Sequence, residues 1–187
     1  MTAFSSPAPS AWLLRWAHLL PVHAQVLDLA CGSGRHMRWL QSQGCQVVGV
    51  DRDAQALSTA QAFGEVLCAD LENAEWPFVQ QQFDAVLVTN YLWRPRFADL
   101  LACLKPQGVL IYETFAAGNE TVGKPSRPDF LLDQGELLTM CSNLRIVAYE
   151  DLFFTQPDRY VQRIVAVHTD KQTVQRFSGD HESSGKS

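Results

Sequence analysis

No two of the five cysteines, Cys31, Cys45, Cys68, Cys103 and Cys141, stand in a Cys-x-x-Cys pair. An odd, scattered set argues against a disulfide framework and reads as free thiols in a reducing compartment. No apolar run is long enough to span a bilayer, and the N-terminal "MTAFSSPAPS" lacks the basic start and long apolar stretch of a signal peptide. The expectation is a soluble, cytoplasmic protein with no membrane partner. An excess of basic charge is missing as well. Fifteen Lys and Arg against twenty Asp and Glu give a net charge of −5, which argues against an electrostatic grip on nucleic acid. Internal repeats, a Ser-His-Asp set and a metal-ligand cluster are all absent. His18 and His23 are five apart and lack ligand neighbours, so no metal is expected.

What is present is enough apolar content (47%) in 187 residues for one domain with a substantial core. The domain is expected over residues 10–168, between a flexible start (1–9) and a polar, disordered tail (169–187). Between these ends, strand and helix patterns alternate. "QVLDLA", "QVVGVD", "EVLCAD" (65–70), "FDAVLVTN" (83–90), "GVLIYETF" (108–115), "LRIVAYEDLFF" (144–154) and "YVQRIVAVH" (160–168) read as seven strands. Helices are expected at 10–20, from Gly34 to the stop at Gly44, from the N-cap Asp53 to Gly64, at 96–103 and at 132–140. The first strands are continuous apolar runs separated by helices, the mark of a parallel sheet covered on both faces. Only "TQPDR" separates the last two, which predicts an antiparallel edge hairpin. The fold class is therefore α/β: a doubly wound, mostly parallel seven-stranded sheet.

In such sheets, ligands bind outside the carboxyl ends of the strands, where strand order reverses. The first strand carries an acid, Asp28, near that end. Ala30 and the glycines Gly32 and Gly34 follow, leaving room for a ligand to approach the backbone. The next strand ends in Asp51, with Arg52 beside it, and an acid there commonly accepts both ribose hydroxyls. A dinucleotide would need a third glycine where Met37 stands, and its pyrophosphate would sit badly beside Asp28. S-adenosylmethionine carries an ammonium, a sulfonium and one carboxylate but no phosphate, so electrostatics favours it as the cofactor.

These motifs resemble the class I S-adenosylmethionine-dependent methyltransferases. "VLDLACGSG" matches their first motif except that Ala30 replaces a glycine. "VVGVD" matches the second and "LCADLE" the third, so Asp70 resembles the acid that contacts the adenine amino group, with Leu71 supplying backbone. "FDAVLVTNYL" resembles the fourth motif. "GSGRH", "NYLWRP" and "GNETVGKPSRPDFLLDQGELL" are similar to small bacterial methyltransferases of the tellurite-resistance group. The resemblance implies a Rossmann-like methyltransferase fold and methyl transfer by in-line displacement to a small-molecule acceptor: a thiol, a metalloid oxyanion or a carboxylate-bearing metabolite. An RNA or protein methyltransferase, or a non-catalytic nucleoside-binding module, is the alternative.

Several residues can take part in transfer. Asn90 and Tyr91 end the fourth strand at the usual edge of the methyl-transfer pocket, and Asn90 can also touch the cofactor. Glu113 can act as a base or bind a cation, and a hydrogen-bonded structural acid is equally plausible. Tyr112 is adjacent on the strand, so only one of the two faces the pocket. Arg35 and His36 open the second helix, within reach of substrate or cofactor, or form a solvated helix start. Trp93 and Arg94 can cap a substrate. Residues 116–128, rich in glycine and proline, are expected to form a lid, with Lys124 and Arg127 facing an anionic acceptor. Trp12 and Trp16, four apart, read as a helix face packed on the core.

Overall fold

A computed structural model describes residues 8–169; the expectations for the two terminal segments fall almost wholly outside that range. Seven strands form one sheet: β1 Gln25–Leu29, β2 Gln46–Asp51, β3 Glu65–Cys68, β4 Phe83–Thr89, β5 Leu104–Phe115, β6 Arg145–Phe154 and β7 Arg159–Val167. Their order is β3-β2-β1-β4-β5-β7-β6. The first five strands pair in parallel, and β7 runs antiparallel to both β5 and β6. This is the doubly wound sheet with an antiparallel edge hairpin. Among the described residues, no helix is long and apolar enough to cross a membrane.

Alternation of side chains along the strands sends apolar groups to both faces. On one face, Val26, Val47, Leu87 and Ile111 pack under helices α1 (Ala11–Trp16), α2 (Arg35–Ser42) and α3 (Ala54–Ala60). On the other, Leu27, Leu29, Val86, Leu110 and Ile164 pack under α4 (Phe97–Ala102) and α5 (Glu136–Met140). All five cysteines are free, and Cys31, Cys103 and Cys141 are buried. Asp53 caps α3 as expected, accepting from the amides of Gln55 and Ala56. Ser10 caps α1 by accepting from the Trp12 amide.

Element boundaries differ from the sequence expectation where a turn residue lies inside or beside an element. β5 starts at Leu104, four residues before Gly108, because Leu104 already pairs with Phe83 across a bulge. α5 starts at Glu136, later than expected, behind Gly135 in the left-handed region (φ 72°). The first helix ends at Trp16 and tightens into a 3-10 turn over Ala17–Leu19.

Trp12 is 1% exposed. Its indole N–H donates to the Ile164 carbonyl at 3.2 Å, and the Arg163 guanidinium lies 4.5 Å from its ring centroid. α1 is thus bolted across β5 and β7 by a core residue. Trp12→Ala should destabilise the protein by about 3–5 kcal/mol in urea titration, the usual range for a buried Trp truncation. Trp16→Ala, at a half-buried position, should cost clearly less.

Candidate functional site

The chain leaves β1 toward β2 and leaves β4 toward β5, on opposite sides, so the ends of β1 and β4 border a cleft. At both ends the backbone turns left-handed at a residue with a Cβ: Ala30 at φ 57° and Asn90 at φ 56°. Each costs on the order of 1–2 kcal/mol of strain. The Asn90 amide donates to the Glu113 carbonyl at 2.8 Å, and this bond holds its turn against β5. The two glycines of the turn after β1 serve different purposes. A Cβ at Gly32 (φ 55°) would meet nothing within 4 Å, so this position faces open space. A Cβ at Gly34 would stand 2.9 Å from the Ala60 Cα, so this glycine lets α2 pack against α3 rather than admitting a ligand.

Asp28 is 1% exposed, and neither side-chain oxygen has a hydrogen-bond partner. Burial pushes its carboxyl up to about 8, with Arg35 pulling down and Asp51 pushing further up. His36 Nδ1 stands 3.9 Å from Asp28 Oδ2, too far for a hydrogen bond. Burial, with a smaller push from Arg35, lowers the His36 imidazole to about 3. At neutral pH the two are a neutral acid beside a neutral imidazole, despite a spacing that would suit an ion pair. His36 is buried at 2% exposure, which sets aside the solvated helix start.

Asp51 closes the turn. Its Oδ2 accepts from the Gly32 amide at 2.8 Å and its Oδ1 from the Asp53 amide at 2.9 Å. Beside it a cavity of about 160 Å³ is lined by Ala30, Asp51, Arg52, Asp70, Leu71 and Tyr91, among others. The structure therefore brings together most of the residues expected to hold the cofactor. Asp70 accepts from the Asn73 side-chain amide at 2.9 Å and the Glu72 backbone amide at 3.0 Å. These bonds hold its carboxyl below the usual range, the Asn73 bond most of all. Tyr91 turns toward this cavity. Its hydroxyl is buried without a partner, and burial, with Glu72 and Asp70 nearby, raises it. Its carbonyl accepts from the Tyr112 hydroxyl at 2.7 Å.

Tyr112 and Glu113 do face opposite ways. Glu113 Oε1 accepts from the Ser10 hydroxyl at 3.0 Å and Oε2 from Arg163 at 3.3 Å. Arg163 also pairs with Glu150, which pairs with Arg15 at 3.0 Å. Glu113 thus anchors α1 to the sheet as a bonded acid. Sequence reasoning did not supply Ser10 or Arg163 as its partners, because only the β5–β7 register puts Arg163 opposite Glu113.

The segment 116–128 is a bonded wall rather than a loose lid. Asn119, 1% exposed, donates to the Pro125 carbonyl at 2.9 Å and accepts from the Tyr160 amide at 3.2 Å. Arg94 clasps the continuation of this segment, donating to Glu136 at 2.5 and 2.8 Å and to the carbonyls of Asp129 at 2.9 Å and Leu131 at 2.7 Å. Arg94 therefore organises the loop and is not free to cap a substrate. Arg127 pairs with Asp129 at 2.6 Å on the surface.

Residues 26–108 match the family described as methyltransferase domain. YqeM of Bacillus subtilis is 30% identical over 126 residues, 60% of this chain and 51% of the relative. The malonyl-[acyl-carrier protein] O-methyltransferase of Enterobacter lignolyticus is 36% identical over 102 residues, 50% of this chain and 40% of the relative. The chain thus spans about half the length of the curated relatives it matches. TehB from Haemophilus influenzae superposes with a TM-score of 0.75 at 16% identity, covering 89% of this chain and 64% of that one. A TehB-like S-adenosylmethionine-dependent methyltransferase from Corynebacterium glutamicum gives 0.63 at 21% identity, covering 89% and 91%. The resemblance to class I methyltransferases read from the motifs is borne out, with a fold like that of TehB.

The strain at Ala30 and the packing at Gly34 make opposite predictions. Ala30→Gly should raise the free energy of unfolding by about 1 kcal/mol by relieving the left-handed alanine. Gly34→Ala should lower it by about 2–4 kcal/mol through backbone strain and overpacking against Ala60. Urea titration of both variants checks the pair.

Proposed function

We propose that this chain, built on a methyltransferase domain over residues 26–108, binds S-adenosylmethionine and passes its methyl group to a small-molecule acceptor. The observation that carries the reading is Asp28, a buried carboxyl without a partner beneath a glycine turn. Once ionised, that carboxyl suits the cationic amino-acid end of S-adenosylmethionine and repels a pyrophosphate. The donor set of the cleft fits the rest of the cofactor. Each Asp51 oxygen has spent one lone pair on a backbone amide and keeps another for a ribose hydroxyl. Arg52, Asp70 and Leu71 line the space for the adenine, with Tyr91 as its wall.

When bound, the cofactor supplies a methyl group already activated by a sulfonium. The work left to the protein is orientation and exclusion of water. Ala30 and Gly32 shape the turn against which the cofactor lies. Asn90, exposed at the end of β4, borders the point of transfer, and Tyr91 holds the cofactor side of it. Glu113, bonded to Ser10 and Arg163, holds α1 against β5 and β7 rather than acting as a base. The Arg94 clasp fixes the wall formed by the segment after β5. The acceptor is a thiol, a metalloid oxyanion or a carboxylate-bearing metabolite.

Calorimetry tests the cofactor: S-adenosylhomocysteine should bind and NAD should not, and the reverse would sink the reading. Labelled cofactor offered with thiols, tellurite, selenite and carboxylic acids tests the acceptor. Label found only in RNA or protein fractions would replace the small molecule, and binding without any turnover would leave a nucleoside-binding module. Asp51→Ala should weaken S-adenosylhomocysteine about 30- to 1,000-fold, since about 2–4 kcal/mol of charge-assisted hydrogen bonding is lost. An unchanged dissociation constant would mean that the ribose is held elsewhere.

A further inference from the structure

Other buried acids and amides in the fold have partners: Glu113 has Ser10 and Arg163, Asn119 has Pro125 and Tyr160, and Gln162 has Leu137 and Asp133. Asp28 has both oxygens sealed from water and unpartnered, and the neighbouring His36 has its Nε2 sealed and unpartnered too. An ionised carboxylate in that position would give up its hydration with no hydrogen bond in return, a cost of several kcal/mol. The neutral acid is the form that this sealed position tolerates. It is also the wrong form for holding a cation.

We propose that Asp28 and His36 form a proton-releasing socket, in which the cofactor's ammonium replaces the acid proton of Asp28 and cofactor capture therefore tightens as pH rises. This rests on the reading above that the ligand is S-adenosylmethionine or its demethylated product. The step balances simply. The O–H bond of Asp28 breaks, its electron pair stays on the carboxylate, and the proton passes to the buffer. The ammonium keeps its own protons and donates hydrogen bonds to the carboxylate.

The groups around Asp28 support release to solvent over transfer to a neighbour. From α2, Arg35 is a permanent cation and cannot take the proton. His36, 3.9 Å away, is held down to about 3 and stays neutral, so it does not trap the proton. From the turn, the Cys31 thiol is pushed up to about 12 by burial and remains protonated. From β2, Asp51 is committed to two backbone amides. The residues paired with Asp28 in the sheet, Gly49 and Leu87, do not titrate. Glu113 lies on the same face of the sheet, on β5, and is bonded to Ser10 and Arg163.

With the Asp28 carboxyl near 8 and deprotonated when it holds the ammonium, one proton separates the two states across neutral pH. Affinity should then rise about tenfold per pH unit between pH 6 and 7 and level off above pH 8. The test is calorimetry of S-adenosylhomocysteine with the full chain at pH 6, 7 and 8, in buffers of different ionisation enthalpy. The expected result is close to one proton released per ligand at pH 7, with the tenfold tightening from pH 6 to 7. Asp28→Asn should bind more weakly, with a flat pH profile and no proton release. Without ligand it should melt several degrees above the parent at pH 8, because the parent's raised carboxyl loses stability as pH climbs through its folded value. A parent that binds S-adenosylhomocysteine with a flat profile and no proton release overturns the socket while leaving the cofactor reading intact. A pH slope that persists in Asp28→Asn assigns the proton to another group and also overturns it. Failure of the parent to bind at any pH removes both.

Discussion

A doubly wound sheet must reverse direction somewhere, and here the reversal falls between β1 and β4. The chain leaving β1 goes one way and the chain leaving β4 goes the other, so no crossover covers the gap between their ends. The rest of the site is an answer to that gap. The backbone bends left-handed at Ala30 and Asn90 to clear it. Neighbouring strands then hold the bends. β2 does so through Asp51 on the Gly32 amide, and β5 does so through the Glu113 carbonyl on Asn90 and the Tyr112 hydroxyl on Tyr91. Strain at the two ends persists because bonds from outside over-determine it.

The sheet and the acids around it were legible because both depend on local pattern. Three apolar residues of β1 with Asp28 among them, and Asp51 at the end of β2, place their carboxyls by strand period alone. What sequence could not supply depends on contacts far along the chain. Glu113 read equally as a base or cation site and as a bonded structural acid; the partner that decides it, Arg163, is 50 residues away and arrives only through antiparallel pairing with β7. Gly34 looked like a ligand-facing glycine, and its close neighbour Ala60 lies on another helix. The start of β5 was hidden because "KPQG" has the composition of a turn: it bulges out of the register, and only Leu104 before it already pairs with Phe83 of β4.

The loop after β5 shows the same limit in another form. Its glycines and prolines suggested a lid carrying two free cations. Composition says nothing of Asn119, whose buried amide closes the loop on itself, or of Arg94, which reaches across from the segment after β4. Four hydrogen bonds from one guanidinium, two of them to a carboxylate, fix a wall more firmly than surface ion pairs could.

Set against that wall, the treatment of polar groups in this fold divides in two. Where a polar side chain serves architecture, as at Arg94, Gln162 and Glu113, the chain satisfies its hydrogen bonds. Near the ends of β1 and β4 the chain leaves bonds unmade at Asp28, His36 and the Tyr91 hydroxyl, as it also does away from them at the ring N–H groups of Trp16 and Trp76 and at Arg159 Nε. An unmade buried bond lowers stability by about 1–3 kcal/mol. A fold that satisfies Asn119 and Gln162 inside the same domain has the means to satisfy Asp28, and a buried leucine there would leave no polar group unbonded. What sets Asp28 apart from the unbonded indoles is that both oxygens of an acid go without a bond beneath a glycine turn, a place that suits a cation better than any neutral group.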